Sequence, residues 1–333
     1  MGRTRAEAHG GEPFSLGVDE NGLGPRLGPL IVSSVLARTT GDGGTYANAR
    51  RHWCKGALKN RLDDSKRLVS YDDSALGEAW GRAIARRMGI DAQDPDALVH
   101  ALALDGRDVL RAPCPPHDPR EQCWSAEGER FQADEALVAK ITGDLEKLEA
   151  QGVAIVRARV AIVCAKRLND EAGLGRSRFD VDLHAMERLV LAARKDAGAA
   201  LFAACGKVGG FDRYRFGPIV DAGCLHVPLV EGRARSEYSV AGVGRVAFVR
   251  DADASHLLVA MASLVGKWIR DTLMRRIVRF HRVLTPDLPD ASGYHDPVTA
   301  GFVDATQLLR RSRDVPPRCF ERERVDAGRG GRG

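Results

Sequence analysis

Two adjacent carboxylates, Asp19 and Glu20, stand where an apolar run opens into a loop rich in glycine and proline, in the stretch LGVDENGLGPRLGPLIVSS. Like charges side by side repel, and burying either one is costly unless something pairs with it. Such a pair either sits in water or holds a cation. A third carboxylate of interest, Asp271, lies beside Leu264 and Trp268 at the rim of the apolar stripe of a long helical segment. At 100° per residue, that places it toward the edge of a sheet rather than in open water.

The elements that must position these groups can be read from periodicity. Phe14, Leu16 and Val18 alternate with small or polar residues, a half-buried strand ending at Asp19. PLIVSSVLA is β-branched and apolar, and the Gly-Pro loop between the two runs predicts that they pair as neighbours. LDDSKRLVS, read alone, is a turn with a helix cap, and Ser70 to Met88 is an amphipathic helix. Residues 91–152 are irregular up to the helical stretch DEALVAKITGDLEKLEA and are expected to form an insertion, a small helical subdomain. VAIVRARVAIVCA reads as a strand, VDLHAMERLVLAARKDAG as a helix, AALFAAC as a strand, and Leu257 to about Val283 as the last major helix. This order predicts an α/β domain with a mixed sheet, spanning 13–312 between disordered segments at 1–12 and 313–333.

Composition narrows the class. The chain has 333 residues, 44% hydrophobic and 29% charged, enough apolar content to bury a core. No apolar run reaches the ~18 residues of a membrane span, and MGRTRAEAHGGEP has no apolar h-region. Seven scattered cysteines argue against a disulfide framework and for a reducing, cytoplasmic setting. Cys114, His117 and Cys123, with His52 and Cys54 further back, lack the paired knuckles of a zinc site and read as loop residues. Residues 264–333 hold 14 Lys and Arg against 9 Asp and Glu, which accounts for the whole net charge of +5. Arginine dominates there, and its planar fork suits phosphate.

Taken in order, the motifs resemble the type 2 ribonuclease H family. Its opening D-E-A-G-R-G-P-x-x-G-P is DENGLGPRLGP here, with Asp19, Glu20, Gly22, Gly24, Pro25, Gly28 and Pro29 in place. Its D-S-K-K-L is Asp64, Ser65, Lys66, Arg67 and Leu68. Its A-S-I-x-A-K-x-x-R-D is ASLVGKWIRD, ending at Asp271, and the segment upstream, DADASHLLV, places Asp253 on a family Asp. A following Gly-Tyr motif is Gly293 and Tyr294.

The resemblance implies a ribonuclease H-like mixed β-sheet flanked by helices, with an insertion and a C-terminal helical region. It implies an endonuclease that hydrolyses the RNA strand of RNA–DNA hybrids, or cuts at ribonucleotides embedded in duplex DNA, as a monomer. Two divalent cations, Mg²⁺ or Mn²⁺, would be held by carboxylates, which suit hard cations. Asp19, Glu20 and Asp271 are the implied catalytic and metal-binding set. Gly22 and Gly24 would approach a ribose 2′-OH, Ser65 and Lys66 would contact phosphates, and Tyr294 would lie against the sugar.

Two positions depart from the pattern. Leu23 stands where the family has Arg. For the family's remaining carboxylate, one register matches CGKVGGFDRY, with Val208, Gly209 and Tyr214, and puts Gly206 on the catalytic Asp. A second matches PIVDAG and makes Asp221 the ligand. The first preserves more residues and follows the helix–strand order better; with Gly206 there, Asp221 or Asp253 must reach in. An alternative function is therefore a catalytically impaired relative that binds hybrid or junction nucleic acid without cutting.

Overall fold

The computed structural model describes residues 12–116 and 118–323. Seven strands form one sheet in the order β3-β2-β1-β4-β7-β6-β5. They are β1 (Phe14–Asn21), β2 (Leu30–Thr39), β3 (Val153–Val163), β4 (Leu201–Gly206), β5 (His226–Val230), β6 (Arg235–Val240) and β7 (Gly244–Val249). β1, β2 and β3 pair antiparallel, β4 runs parallel to β1, and β7 runs parallel to β4. β6 and β5 then close the sheet antiparallel. The three parallel strands β1, β4 and β7 therefore share one C-terminal edge, and the candidate site lies there.

Both faces of the sheet are covered, so its central strands are apolar on both sides. The helix Arg178–Ala197 packs Val181, Met186, Leu189 and Val190 against Leu16, Val18, Leu201 and Phe248 on one face. Its Ser177 capping box and left-handed Gly198 mark its two ends. The 26-residue helix Leu257–Arg282 crosses the other face, joined there by the helices Ala75–Arg87, Pro95–Leu102 and Glu135–Ala150. Its contact with β1 is close because of Gly17, where a Cβ would fall 2.2 Å from the carbonyl carbon of Leu258. No side chain larger than hydrogen fits between that strand and that helix.

The expected mixed α/β architecture with flanking helices is present. Residues 91–152, however, do not form a separate subdomain. Leu98, Leu102, Ile141 and Leu145 share one core with Ile31, Val35 and Leu264. β5–β7 have no counterpart among the expected elements. Their signal is alternation on either side of Ala241-Gly242, the pattern of a tight hairpin.

The expected disordered ends need revision where they are described. Glu12 receives Arg245 Nε and Nη2 at 2.8 and 2.9 Å. Residues 313–323 are folded: Phe320, on the helix Pro317–Phe320, packs with Phe302, Ile277 and Leu27. Segments 1–11 and 324–333, the latter including GRGGRG, lie outside the described residues, as does His117. Among the described residues no helix is long and apolar enough to cross a membrane.

Candidate active site

Asp19 belongs to the last turn of pleat in β1, opposite Ser33 on β2 and beside the end of β4. Its carboxyl is held well above the usual range, first by burial and then by the charge of Asp253, with Glu20 adding to the effect. The Ser263 hydroxyl opposes this by favouring the charged form. Glu20, the next residue, accepts the backbone N–H of Leu23 at 3.0 Å. Burial raises its pKa, while that N–H and the charges of Lys66, Arg322 and Arg270 pull it down.

Asp253 arrives from β7 on the short helix Ala252–Ser255. Burial and then the charge of Asp64 raise its pKa; the Ala254 N–H, donated at 2.9 Å, and Lys66 lower it. Three carboxylates from β1 and the end of β7 thus act on one another or on a shared lysine. Lys66 is exposed and faces both Glu20 and Asp253.

Asp271 is placed differently from the expectation. It is fully buried, and its carboxylate takes Lys267 Nζ at 3.3 Å and Arg270 Nη1 at 2.9 Å. The strongest charges on Asp19 are Asp253 and Glu20, whereas Asp271 acts on Tyr71. The reason is helical phase. Ser263 and Gly266 face β1 and β2, with Gly266 against Ser33 and Asn21, and Asp271 is turned about 80° from Ser263. What Asp271 holds is Arg270. That guanidinium donates to the Ser292 carbonyl at 2.8 Å and lies 4.5 Å from the centre of the Tyr294 ring.

The register at the end of β4 is also decided. Gly206 is the last residue of that strand, and a Cβ there would lie 3.0 Å from Asp19 Oδ1. Val208 N–H donates to the Tyr214 hydroxyl at 3.2 Å, joining the motif's two ends. Asp221 is exposed and acts on Glu187 on a different helix. A position beside Asp19 that would suit a carboxylate therefore carries none.

Of the candidate substrate contacts, Gly22 has φ +94°, and a Cβ there would strike Arg270 Nε at 2.8 Å. Gly24 has nothing within 4 Å of where a Cβ would stand, so its backbone faces open space. The Ser65 side chain is buried and receives the Ser263 hydroxyl at 2.9 Å, tying its motif to the long helix. Asp64 caps that turn through the Lys66 N–H, which leaves the Lys66 side chain outward. Tyr294 is 45% exposed, and the Gly293 carbonyl accepts the N–H groups of Arg26 and Leu27. The Gly-Tyr motif thus borders the glycine loop.

One residue had no sequence signal. Arg322, in the segment expected to be disordered, is buried beneath the loop and donates to the carbonyls of Gly28 at 2.9 Å and Gly22 at 2.6 Å. Burial, with Arg270 and Arg178 nearby, pulls its pKa down to about 9. Arg178 also reaches the Leu23 carbonyl, at 3.4 Å. Where Leu23 lacks a guanidinium, two others approach the same loop from elsewhere in the chain.

Among the described residues no three His, Cys, Asp or Glu side chains are already arranged to hold one metal ion. The donors gathered at the β1 edge are nonetheless all carboxylates, the chemistry that Mg²⁺ and Mn²⁺ select. A further carboxylate, Asp182, is wholly buried, has no hydrogen-bond partner on either oxygen, and feels the charges of Glu20 and Asp19. It comes from the helix on the Val18 and Cys205 face of the sheet, opposite the face on which Asp19 meets Ser263. All seven cysteines are free. Cys114, Cys123, Cys164 and Cys319 line one small cavity, their thiols pushed up by burial.

No family model and no curated protein matches the chain. Among solved structures, it is similar to the RNase HII of Archaeoglobus fulgidus, solved in complex with PCNA, at 16% identity and a TM-score of 0.38, over 94% of this chain and 95% of that one. The ribonuclease H2 of Pyrococcus horikoshii OT3 gives 16% and 0.38, covering 92% of each chain. Bst-RNase HIII in complex with Mn²⁺ gives 13% and 0.42, over 94% of this chain and 68% of that one. By the order of its motifs and its mixed sheet flanked by helices, the chain resembles the type 2 ribonuclease H family.

Proposed function

We propose that this protein is an endoribonuclease acting on RNA–DNA hybrids or on ribonucleotides embedded in duplex DNA, with Mg²⁺ or Mn²⁺ bound at the C-terminal edge of β1. The observation that carries the reading is the meeting of Asp19, Glu20 and Asp253 beside a loop whose glycines bare its backbone, with Lys66 facing two of the three carboxylates. Divalent cations at such carboxylates supply an activated water and stabilise the leaving 3′ oxygen.

The chain's own residues do the rest. Glu20 is fixed by the Leu23 N–H, so the carboxylate and the glycine loop are set as one unit. The open space at Gly24 lets backbone groups reach a ribose 2′-OH, the feature that separates RNA from DNA. Lys66 meets a phosphate next to the carboxylates. Tyr294, backed by Arg270 and through it by Asp271, stacks against the sugar. The protein would act as a monomer in the cytoplasm, where its free thiols stay reduced.

Gly206 and Leu23 favour a second reading, a relative that binds the same nucleic acid without cutting. One experiment separates them: purified chain is incubated in Mg²⁺ and in Mn²⁺ with an RNA–DNA hybrid and with a duplex carrying one ribonucleotide. Cleavage that Asp19→Asn abolishes supports the enzyme. Binding without cleavage in either metal supports the second reading.

A further inference from the structure

Residues 50–67, RRHWCKGALKNRLDDSKR, carry seven Lys and Arg against two Asp. Both acids are already engaged. Asp63 is buried and holds Arg50 Nη1 and Nη2 at 2.5 and 2.7 Å, while Asp64 accepts the Lys66 N–H at 2.9 Å. Arg61 is matched from another helix by Asp144, at 2.6 and 2.9 Å. What the segment shows to solvent is Arg51, Lys55, Lys59, Lys66 and Arg67, all exposed, with Arg67 3.8 Å from Asp63. Like charges gathered this way repel in the free protein, and a polyanion laid across them relieves that.

The backbone that carries these cations is fixed. Trp53 and Leu62 are buried in the core that holds Ile31 and Leu264, and Trp80 Nε1 donates to the Arg61 carbonyl at 2.7 Å. Arg50 Nη1 also donates to the Ala254 carbonyl at 2.8 Å, next to Asp253 and just past β7. Tyr294, by contrast, borders the loop after β1, and β4 lies between β1 and β7. Lys66 acts on both Glu20 and Asp253 and so stands between the two sides. Further along, Lys59 and Arg67 both pull against the burial that raises the Cys54 thiol, so the two converge there. Lys55 is one turn before Lys59, whose N–H donates to its carbonyl at 3.4 Å. The cations therefore continue from the carboxylates along one packed segment.

We propose that residues 50–67 form a platform for the phosphate backbone of the duplex, on which Arg51, Lys55, Lys59 and Arg67 continue outward the contact that Lys66 makes beside the carboxylates. This rests on the reading of the β1 edge as a site for hybrid or ribonucleotide-containing duplex. The contact is to phosphates and not to base edges, so it adds affinity without choosing sequence. It favours duplex that extends past the position of cleavage. The platform takes no part in breaking the bond, so its loss raises KM and leaves kcat unchanged.

The test is binding of an RNA–DNA hybrid to the full chain, read by fluorescence anisotropy over a range of KCl, in EDTA so that nothing is cut. Lys55→Gln combined with Lys59→Gln should bind more weakly. It should also flatten the plot of log affinity against log salt by about 1.5, since each phosphate contact contributes ~0.7–0.9 to that slope. Lys55→Arg with Lys59→Arg keeps the charge and should keep the wild-type slope. Arg38 and Lys195 supply a control of equal charge at the opposite edge of the sheet. Both are exposed; Arg38 pairs with Phe14 at the start of β1, and Lys195 is in the last turn of the helix Arg178–Ala197. Arg38→Gln with Lys195→Gln should leave affinity and slope unchanged. An unchanged slope for the Lys-to-Gln pair, an equal flattening for the control pair, or a flattened slope for the Lys-to-Arg pair would overturn the platform, while binding by wild type would keep the nucleic-acid reading. Wild type that binds no hybrid at the lowest salt would overturn that reading, and this inference with it.

Discussion

Asp253 and Asp271 are eighteen positions apart and look interchangeable as candidate ligands, yet their surroundings differ. Asp253 is a half-buried carboxylate that acts on Asp19 and feels the exposed ammonium of Lys66. Asp271 is a buried anion already neutralised by Lys267 and Arg270. Asp253→Asn should therefore lower cleavage about a hundredfold or more, the loss typical when a group that stabilises the transition state is removed, with melting temperature unchanged or raised. Asp271→Ala should destabilise the fold by roughly 3 kcal/mol, because it leaves buried cations without a partner. Parallel measurement of hybrid cleavage and urea unfolding on the two variants checks the division. Comparable loss of cleavage with unchanged stability for Asp271→Ala would restore it to the ligand set.

At the scale of elements, the helix Arg178–Ala197 is tied to the segment after β4 through Glu187. Its carboxylate accepts the N–H groups of Gly217 at 3.1 Å and Ile219 at 2.8 Å, where the short helix Pro218–Asp221 begins. Burial pushes the Glu187 pKa up to about 7, and the two N–H groups offset only part of that. The folded state therefore holds its proton more tightly than the unfolded chain does. Its contribution to stability is full below the ordinary glutamate pKa and is lost as pH rises from about 4.5 to about 7. At 1.36 kcal/mol per unit this amounts to roughly 3 kcal/mol. Melting curves between pH 4.5 and 8 should fall less steeply for Glu187→Gln than for wild type, and identical slopes would remove Glu187 from the account.

Across the whole molecule, the C-terminal segment is part of the site's foundation. Phe320 is 1% exposed among Phe302, Ile277 and Leu27, and Arg322 grips the carbonyls of Gly22 and Gly28 from below. A chain ending at residue 312 should melt well below the full chain, since losing a buried Phe alone costs about 3–5 kcal/mol. Arg322→Ala should act more locally. It should speed amide exchange in the loop after β1 and weaken hybrid binding, while exchange in β2 and β3 stays slow. Uniform loss of protection across the sheet would mean that Arg322 supports the global fold and not the loop in particular.

The residues from Phe14 to Thr39 carried their own structure in the chain: alternation for β1, a β-branched run for β2, and glycine and proline where the chain must turn. The same holds for the long helix, whose apolar stripe sets its length, and for the pairing of Asp19 with Glu20, which adjacency alone ensures. Local patterns of this kind arise from backbone sterics and the period of side-chain burial, and neither needs a distant partner. The membership of the carboxylate group was a different matter. Asp253, Asp271, Asp221 and Asp182 are all acidic residues on helices or turns, and nothing within a few positions of any of them separates a ligand from a buried ion pair or a surface charge. The different surroundings of these residues come from helical phase, from which strand ends share an edge, and from what fills the space around each oxygen. Arg322 shows the same limit: a basic residue in a polar tail becomes a buried support only because the carbonyls of a loop 294 and 300 positions earlier lie above it. Electrostatic and packing partners are set by three-dimensional proximity, and only the closed sheet with helices on both faces brings such distant segments together.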